Sequence, residues 1–211
     1  MGRDFYVERG VLVPRAVTEV LVRACSDVLS GREPRWILDL GCGSGMVGIT
    51  LALAFPNVNV LALDIASEAV ELTRRNIQKW QLESRVQAAQ SDMFAAAQNL
   101  RGEVDAIVSS PPFISSTQLN KDRASLLDLE PRAAFDAGPY GIAIHQRLVK
   151  EGEAMLRPGS GWLVVEFGEG QERQVRRLIE RSQVYDATRE YREYGDRFVA
   201  TLEAQRKPTR T

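Results

Sequence analysis

One stretch of the chain narrows its fold more than any other. Trp36-Ile37-Leu38-Asp39-Leu40 is a short apolar run that enters Gly41-Cys42-Gly43-Ser44-Gly45, and Val47 to Phe55 then reads as a helix closed by Pro56. A strand that runs through a glycine loop into a helix is the first half of a βαβ unit, whose next strand must lie parallel to the first. The sequence supplies that strand at Val58 to Leu63, ending at Asp64.

The alternation continues. Ser67 is placed to cap a helix that carries Val70, Ile77 and Trp80 on one face. A weaker strand at Val86 to Ala89 leads into Ser91-Asp92-Met93-Phe94, and a stronger one at Val104 to Val108 ends in Ser109-Ser110-Pro111-Pro112-Phe113. A polar, loop-like stretch follows from Ile114 to about Gly141. The spacing then predicts a helix over Ile142 to Leu156, a strand over Trp162 to Phe167, a helix over Gln171 to Arg181 and a last strand over Phe198 to Leu202. Ahead of the glycine loop, Val11-Leu12-Val13 is an apolar run stopped by Pro14. Val17, Val20, Leu21, Ala24, Cys25, Val28 and Leu29 recur at helical spacing up to Gly31. Short apolar strands alternating with amphipathic helices predict an α/β fold of the Rossmann-like type, a mostly parallel sheet with helices on both faces. The expected layout is an N-terminal strand and helix extension over 1–35, one domain over 36–205, and a frayed polar tail from Arg206.

Composition bears on what such a domain handles. With 211 residues, 44% of them hydrophobic, the chain can bury a substantial core. Its net charge of -1 lacks the positive excess of a protein built to grip a nucleic-acid backbone, so nucleic acid is the less favoured partner. Two cysteines, Cys25 and Cys42, and one histidine, His145, are too few for a zinc cluster, and no metal is expected. They fit a reducing cytoplasm. No apolar stretch approaches a membrane span, and with no apolar core near Met1 no signal peptide is expected. Gly2 does not open a myristoylation signal, because Val7 stands where that signal needs Ser or Thr.

The glycine loop suits a nucleotide-like ligand at the carboxyl edge of the sheet, since glycines allow close approach and the following helix presents unpaired N–H groups. Gly43, Gly45 and Gly48 also spell a dinucleotide pattern. That fingerprint should begin at the first glycine after the strand, Gly41, and its third glycine would then fall on Met46. A glycine-rich turn with capping carboxylates is the third reading. Asp39, just ahead of the loop, favours a cationic ligand such as the amino group or sulfonium of S-adenosylmethionine over a pyrophosphate. Asp64, at the end of the next strand, suits ribose hydroxyls in either cofactor, and Ile65 follows it.

At Ser110-Pro111-Pro112-Phe113 two successive prolines are stiff and lack N–H groups. The carbonyls of Ser110 and Pro111, with the Ser110 hydroxyl, are therefore available as acceptors. Two acceptors can bind the hydrogens of an amine or amide and aim its nitrogen at a methyl donor. Phe113 offers a face to a planar group or to positive charge. A proline turn that merely ends a strand is the alternative.

Together, Asp39-Leu40-Gly41-Cys42-Gly43-Ser44-Gly45, Asp64, Asp92-Met93-Phe94 and the Pro-Pro-Phe turn resemble the class I methyltransferases that modify amino groups. More closely, the chain resembles the HemK-type glutamine N5-methyltransferases of peptide-chain release factors. Val13-Pro14-Arg15 with Thr18-Glu19, Glu130-Pro131-Arg132-Ala133-Ala134-Phe135-Asp136-Ala137-Gly138 with Gly141, and Glu166-Phe167-Gly168 with Gln171 extend the likeness from about residue 11 to 202.

The resemblance implies a seven-stranded sheet with one antiparallel strand near its edge, and S-adenosylmethionine as cofactor. It implies that Asp39, Gly41, Cys42, Gly43, Gly45, Asp64, Ile65, Asp92, Met93 and Ser110 surround that cofactor, with Asp64 on the ribose and Asp92 and Met93 at the adenine. The turn Ser110, Pro111, Pro112 and Phe113 would hold the acceptor. The chain departs from the family in two places. Ser110 and Phe113 stand where the family has Asn and usually Tyr, and only 35 residues precede the first core strand, where the bacterial enzymes carry an extra helical domain. The expected acceptor is therefore a small-molecule amine or a protein glutamine. A nucleic-acid methyltransferase and a non-catalytic binding module are the rival classes.

Other residues carry structural expectations. His145 reads as a surface or packing residue, and Cys42 as a small side chain in the loop. Arg173, Arg176, Arg177 and Arg181, with Glu172 and Glu180 among them, read as a solvated helix face. The segment from Ile114 to Asp128 is expected to be a mobile lid over the acceptor site.

Overall fold

The computed structural model describes residues 2–121, 127, 130–168, 170–191 and 199–209. Seven strands form one sheet: β1 (Trp36–Leu40), β2 (Asn59–Asp64), β3 (Val86–Gln90), β4 (Ala106–Ser109), β5 (Trp162–Gly168), β6 (Tyr185–Tyr191) and β7 (Val199–Arg206). Their spatial order is β3-β2-β1-β4-β5-β7-β6, and β7 is antiparallel to both strands beside it, β5 and β6. The six α-helices among the described residues are α1 (Glu19–Leu29), α2 (Met46–Ala54), α3 (Ser67–Lys79), α4 (Ser116–Lys121), α5 (Ala143–Gly152) and α6 (Glu172–Ser182).

The central strands are apolar on consecutive residues because both faces of the sheet are covered. Ile37, Val108 and Val164 point into a core with Leu21, Cys25 and Val28 of α1, Ile49 and Leu51 of α2 and Ile77 of α3. Their neighbours Leu38, Ile107 and Leu163 point the other way, onto Leu148 of α5 and Val175 and Ile179 of α6. Leu21, Leu38, Ile107 and Leu148 are wholly buried, and each such side chain contributes about 1.5–3 kcal/mol relative to an exposed one.

Several local expectations are corrected. Ser67 is the first residue of α3 rather than its cap; Ala66 holds the cap position and the Ser67 hydroxyl donates to Glu68 instead. The fourth strand starts at Ala106, with Val104 in an isolated bridge to Leu156. Helix α5 stops at Gly152, four residues before the expected end. The apolar run Val11-Leu12-Val13 forms no strand. The frayed tail begins later than Arg206, which ends β7, because Lys207 still donates to the Val184 carbonyl and accepts from Gly159.

Strand β6 escaped the sequence pattern. Tyr185-Asp186-Ala187-Thr188-Arg189-Glu190-Tyr191 has no apolar run, as suits a strand paired on one side only at the edge of the sheet. Phe198, the expected start of the last strand, lies outside the described residues, as do 122–126 and 128 of the expected lid. The described part of that segment is not all loop, since Ser116 to Lys121 is helical and buries Leu119 against Ile114 and Phe135.

Candidate active site

The sheet order reverses between β1 and β4. From β1 the chain steps outward to β2 and β3, then crosses back to β4 on the other side. Ligands of open α/β sheets bind in the crevice beyond the carboxyl ends of the strands at such a switch point. Here the register pairs Leu40 with Ser109. The residues that follow, Gly41 and Ser110, therefore leave adjacent strand ends, which lie about 5 Å apart. The buried Ser109 hydroxyl donates to the Leu40 carbonyl at 2.8 Å and ties the two ends together.

On the β1 side, the loop is held mostly by main-chain groups. Gly41 and Cys42 both donate to the Leu63 carbonyl, at 2.8 and 3.1 Å, which draws the loop over the end of β2. Asp64 takes the Gly43 N–H on one carboxylate oxygen and the Ala66 N–H on the other, each at 3.0 Å. Its carbonyl accepts the Ser91 N–H at 2.8 Å, which draws in the end of β3. Gly45 is left-handed at φ 79° and begins α2. A Cβ there would stand 2.8 Å from Thr73 Cγ2, so this position combines a glycine conformation with a close approach to α3.

Asp39 is buried beneath this loop. Its carboxylate accepts the Gly48 N–H at 2.8 Å, in an approach so close that a Cβ on Gly48 would lie 2.9 Å from the same oxygen. Burial pushes its pKa up to about 7, against the lowering effect of the Gly48 N–H, and the nearby Asp64 charge adds to the rise. Asp39 thus spans β1 and the first turn of α2 from below.

The residues around the loop fit a cofactor with a cationic end and a ribose. Gly41 and Gly43 are left-handed; a Cβ on Gly41 would meet nothing within 4 Å, and one on Gly43 only Val11 at 4.0 Å. The face above the loop is therefore open. Asp64 stands half-buried beside it, and Ile65 is 65% exposed next to that carboxylate, an apolar side chain free to lie against a planar base.

Asp92 and Met93 arrive differently from the sequence expectation. The Asp92 carboxylate is exposed and paired with Arg147 at 2.6 Å. The Met93 side chain is buried in the core with Leu40, Leu63 and Phe94, so only its backbone can border a ligand. That backbone is left-handed at φ 50°, an uncommon state for a residue with a Cβ, and the Ser91 hydroxyl fixes it by donating to the Met93 carbonyl at 2.8 Å.

On the β4 side, Pro111 is buried while Ser110, Pro112 and Phe113 are half-buried. The segment after the turn is stitched to the loop near Gly138. Ile114 donates to the Phe135 carbonyl and accepts from Ala137. Asp136 takes the Ser116 hydroxyl at 2.6 Å, the Gly138 N–H at 3.0 Å and Arg132 at 2.9 Å, and the Ser116 bond is the largest cause of its lowered pKa.

Glu130, buried in the same loop, reaches back to the N-terminal segment. It accepts the Val13 N–H at 2.7 Å and pairs with Arg15 at 2.5 Å.

Four contributors were not singled out by sequence reasoning. Thr73 donates to the Gly43 carbonyl and contacts Cys42 Sγ. Asn76 donates to the Ser44 and Tyr6 carbonyls and accepts the Tyr6 N–H. Ser109 and Arg147 are the others. The available signal was the polar pair Thr73 and Asn76 on the same face of α3 as apolar Val70 and Ile77. His145 is a packing residue: it is buried, its Nε2 lies 2.8 Å from the Glu166 carbonyl, and burial lowers its pKa. Cys42 is buried and its pKa is raised by burial, as befits a small structural side chain. Among the described residues no helix is long and apolar enough to cross a membrane.

Comparison with known proteins meets this geometry. The release factor glutamine methyltransferase of Koribacter versatilis is 39% identical over 79% of the chain and 58% of its own length. The one from Synechocystis is 32% identical over 94% of the chain and 69% of its own length. The chain thus spans about three fifths to two thirds of the curated relatives it matches. The fold is shared with the catalytic domain of hMettl16, at TM-score 0.75 and 13% identity over 100% of this chain and 78% of that one. It is shared as well with a methyltransferase from Pyrococcus furiosus, at TM-score 0.65 and 18% identity over 96% and 88%. The methyltransferase small domain model matches residues 16–127, across the glycine loop, Asp64, Asp92 and the proline turn, and the chain belongs to that family of class I, S-adenosylmethionine-dependent methyltransferases.

Proposed function

We propose that this chain transfers the methyl group of S-adenosylmethionine to a nitrogen held at Ser110-Pro111-Pro112-Phe113, and that the nitrogen belongs to a glutamine side chain of a protein. The observation that carries the reading is the register of β1 with β4. It sets Ser110 beside Gly41, so a group bound at the turn and a cofactor over the glycine loop meet across one switch point. The names of the relatives, release factor glutamine methyltransferases, support the choice of acceptor.

When bound, S-adenosylmethionine supplies a methyl group on a positively charged sulfur. The chain's own residues hold and orient. Asp64 accepts hydrogen bonds from the ribose hydroxyls, Ile65 lies against the adenine, and the open faces of Gly41 and Gly43 admit the rest of the cofactor. The backbone at Asp92 and Met93 borders the base. Two of the three oxygens at the turn, the Ser110 hydroxyl and the Ser110 and Pro111 carbonyls, accept the two hydrogens of the amide nitrogen and turn its lone pair toward the methyl group, and as the new N–C bond forms one of those hydrogens leaves as a proton to solvent. Orientation of this kind lowers the barrier by prepaid entropy, and acceptors aimed at an N–H that grows more acidic strengthen in the transition state. Phe113 provides a face for the planar amide. Both cysteines are free and buried, which fits work in a reducing cytoplasm.

Mass spectrometry of a panel incubated with labelled S-adenosylmethionine tests the reading. The panel holds a release factor, nucleic acids and small amines. Label on a release-factor glutamine is the expected result. Label on a small amine alone, the outcome that the Ser110 side chain would favour, rejects the protein acceptor, and label on nucleic acid alone rejects both.

A further inference from the structure

Gln171 stands outside both halves of the site, yet it bonds to three of the segments that build the acceptor side. It caps α6, and its side-chain oxygen accepts the Gly168 N–H at 2.9 Å at the end of β5. Its side-chain nitrogen donates to the Phe113 carbonyl at 2.7 Å and to the Gly141 carbonyl at 3.1 Å. An amide nitrogen has two hydrogens, so both are used, one on the proline turn and one on the loop that follows it.

The packing around it is equally close. A Cβ on Gly141 would lie 2.6 Å from both Gln171 Nε2 and the Phe113 carbonyl oxygen. A Cβ on Gly168 would lie 2.9 Å from Phe113 Cδ2. The Phe113 ring therefore rests on the Gly168 backbone while its carbonyl is tied to Gln171. Ring and carbonyl are fixed together.

We propose that Gln171 is a positioning residue for methyl transfer: its amide fixes the Phe113 end of the turn, and through it the Ser110 and Pro111 acceptors, relative to the glycine loop. This rests on the reading of the turn as the acceptor site. Misplacing a reacting group by a fraction of an ångström costs turnover rather than ligand affinity. Gln171→Glu keeps the acceptor for Gly168 and loses both donors, setting a carboxylate oxygen against two carbonyls. Gly168→Ala keeps the Gln171 amide and crowds the Phe113 ring most, its Cβ falling 2.9 Å from Phe113 Cδ2 and 3.2 Å from Gln171 Oε1.

Steady-state kinetics on a release factor should show kcat lowered about tenfold or more in each variant. The acceptor KM should change by less than about threefold, and the cofactor Kd from calorimetry by less than about twofold. A rise in KM with kcat unchanged, or equal losses of kcat and cofactor affinity, overturns the proposal. A second measurement does not depend on the acceptor. In protein labelled with 4-fluorophenylalanine, the resonance assigned to Phe113 by Phe113→Leu should shift or broaden in Gln171→Glu, while the Phe167 signal stays. An unchanged Phe113 signal overturns the brace. Should the unaltered protein leave the release factor unmethylated, the acceptor assignment fails, and the fluorine spectrum alone decides whether Gln171 holds the turn.

Discussion

The two sides of the cleft are held together by different means. Around the glycine loop the bonds are mostly main-chain, or join a backbone N–H to a nearby carboxylate. Gly41 and Cys42 donate to Leu63, Gly43 to Asp64, and Gly48 to Asp39 only nine residues before it. Around the proline turn main-chain bonds such as Ile114 to Phe135 are joined by side chains that reach far across the sequence. Gln171 holds a carbonyl 58 residues away, and Glu130 an N–H 117 residues away. One side is a by-product of closing a βαβ unit. The other exists only after distant loops have come together. A cleft built this way keeps its glycine-loop half whenever the sheet forms, and can vary its proline-turn half by changing a few long-range bonds.

The strongest way to break the cofactor side is through its backbone. Gly45→Ala combines a left-handed residue bearing a Cβ with a 2.8 Å approach to Thr73, and should cost about 2–4 kcal/mol of stability. Denaturant unfolding checks this, and a loss below about 1 kcal/mol would show that the loop is not over-determined.

On the acceptor side, Ser110→Ala removes one acceptor and should reduce transition-state stabilisation by about 1.5–3 kcal/mol, with cofactor affinity within about twofold. Ser110→Asn restores the residue usual in the resembling enzymes; a glutamine acceptor should tolerate it, whereas a smaller amine should be crowded and react more slowly. If Ser110→Ala lowers affinity for S-adenosylmethionine as much as turnover, the division of the cleft into two halves is wrong.

Asp64→Ala should do the opposite. Calorimetry should show S-adenosylmethionine bound about 1–3 kcal/mol more weakly, because ribose hydroxyls lose their partner. The Phe113 fluorine resonance should not move, and its movement would mean that the halves are coupled.

Glu130→Ala leaves the Val13 N–H and Arg15 without their partner. Because Arg15 is 43% exposed, the loss should be modest, about 1 kcal/mol. Hydrogen exchange should quicken at Val13 and stay unchanged at Gly43. Equal quickening at both would show the N-terminal segment to be part of the cofactor half.

A last effect is a slope with pH. Folded Asp39 keeps its proton up to about 7, while an unfolded aspartate releases it near 3.8. Between those values the folded state binds more protons, so Asp39's contribution to stability falls as pH rises through the window. Asp39→Asn should flatten that part of the profile in urea titrations from pH 4 to pH 8, and an unaltered slope would mean that the carboxylate is not desolvated.

How much of this was legible beforehand follows the same division. The βα alternation, the parallel order and the positions of Asp39, Gly41, Gly43, Gly45, Asp64 and Ser110 at strand ends could be read because each depends on a pattern within a few residues. Strand β6 could not, since its Tyr185–Tyr191 sequence holds three charged residues and no run of aliphatic ones, and its pairing partner is β7 alone. The helix at Ser116–Lys121 was hidden in a polar stretch. Its one buried side chain, Leu119, gains a reason to fold only when Ile114 and Phe135 arrive beside it.

By itself, then, the sequence determined a mostly parallel α/β sheet, a glycine loop at the end of its first strand, carboxylates on its first two strands, and a proline turn one strand away. Those follow from backbone sterics and from periodic burial, which act locally. Tertiary structure alone decided that Asp39 lies beneath the loop against Gly48, that Asp92 pairs with Arg147, and that Gln171 and Glu130 bind the acceptor loops to the sheet and the N-terminal segment. An amide or a carboxylate in a sequence has many partners open to it. Which one it takes is fixed by the packing that buries it, because there an unmade bond costs more than any local preference can return.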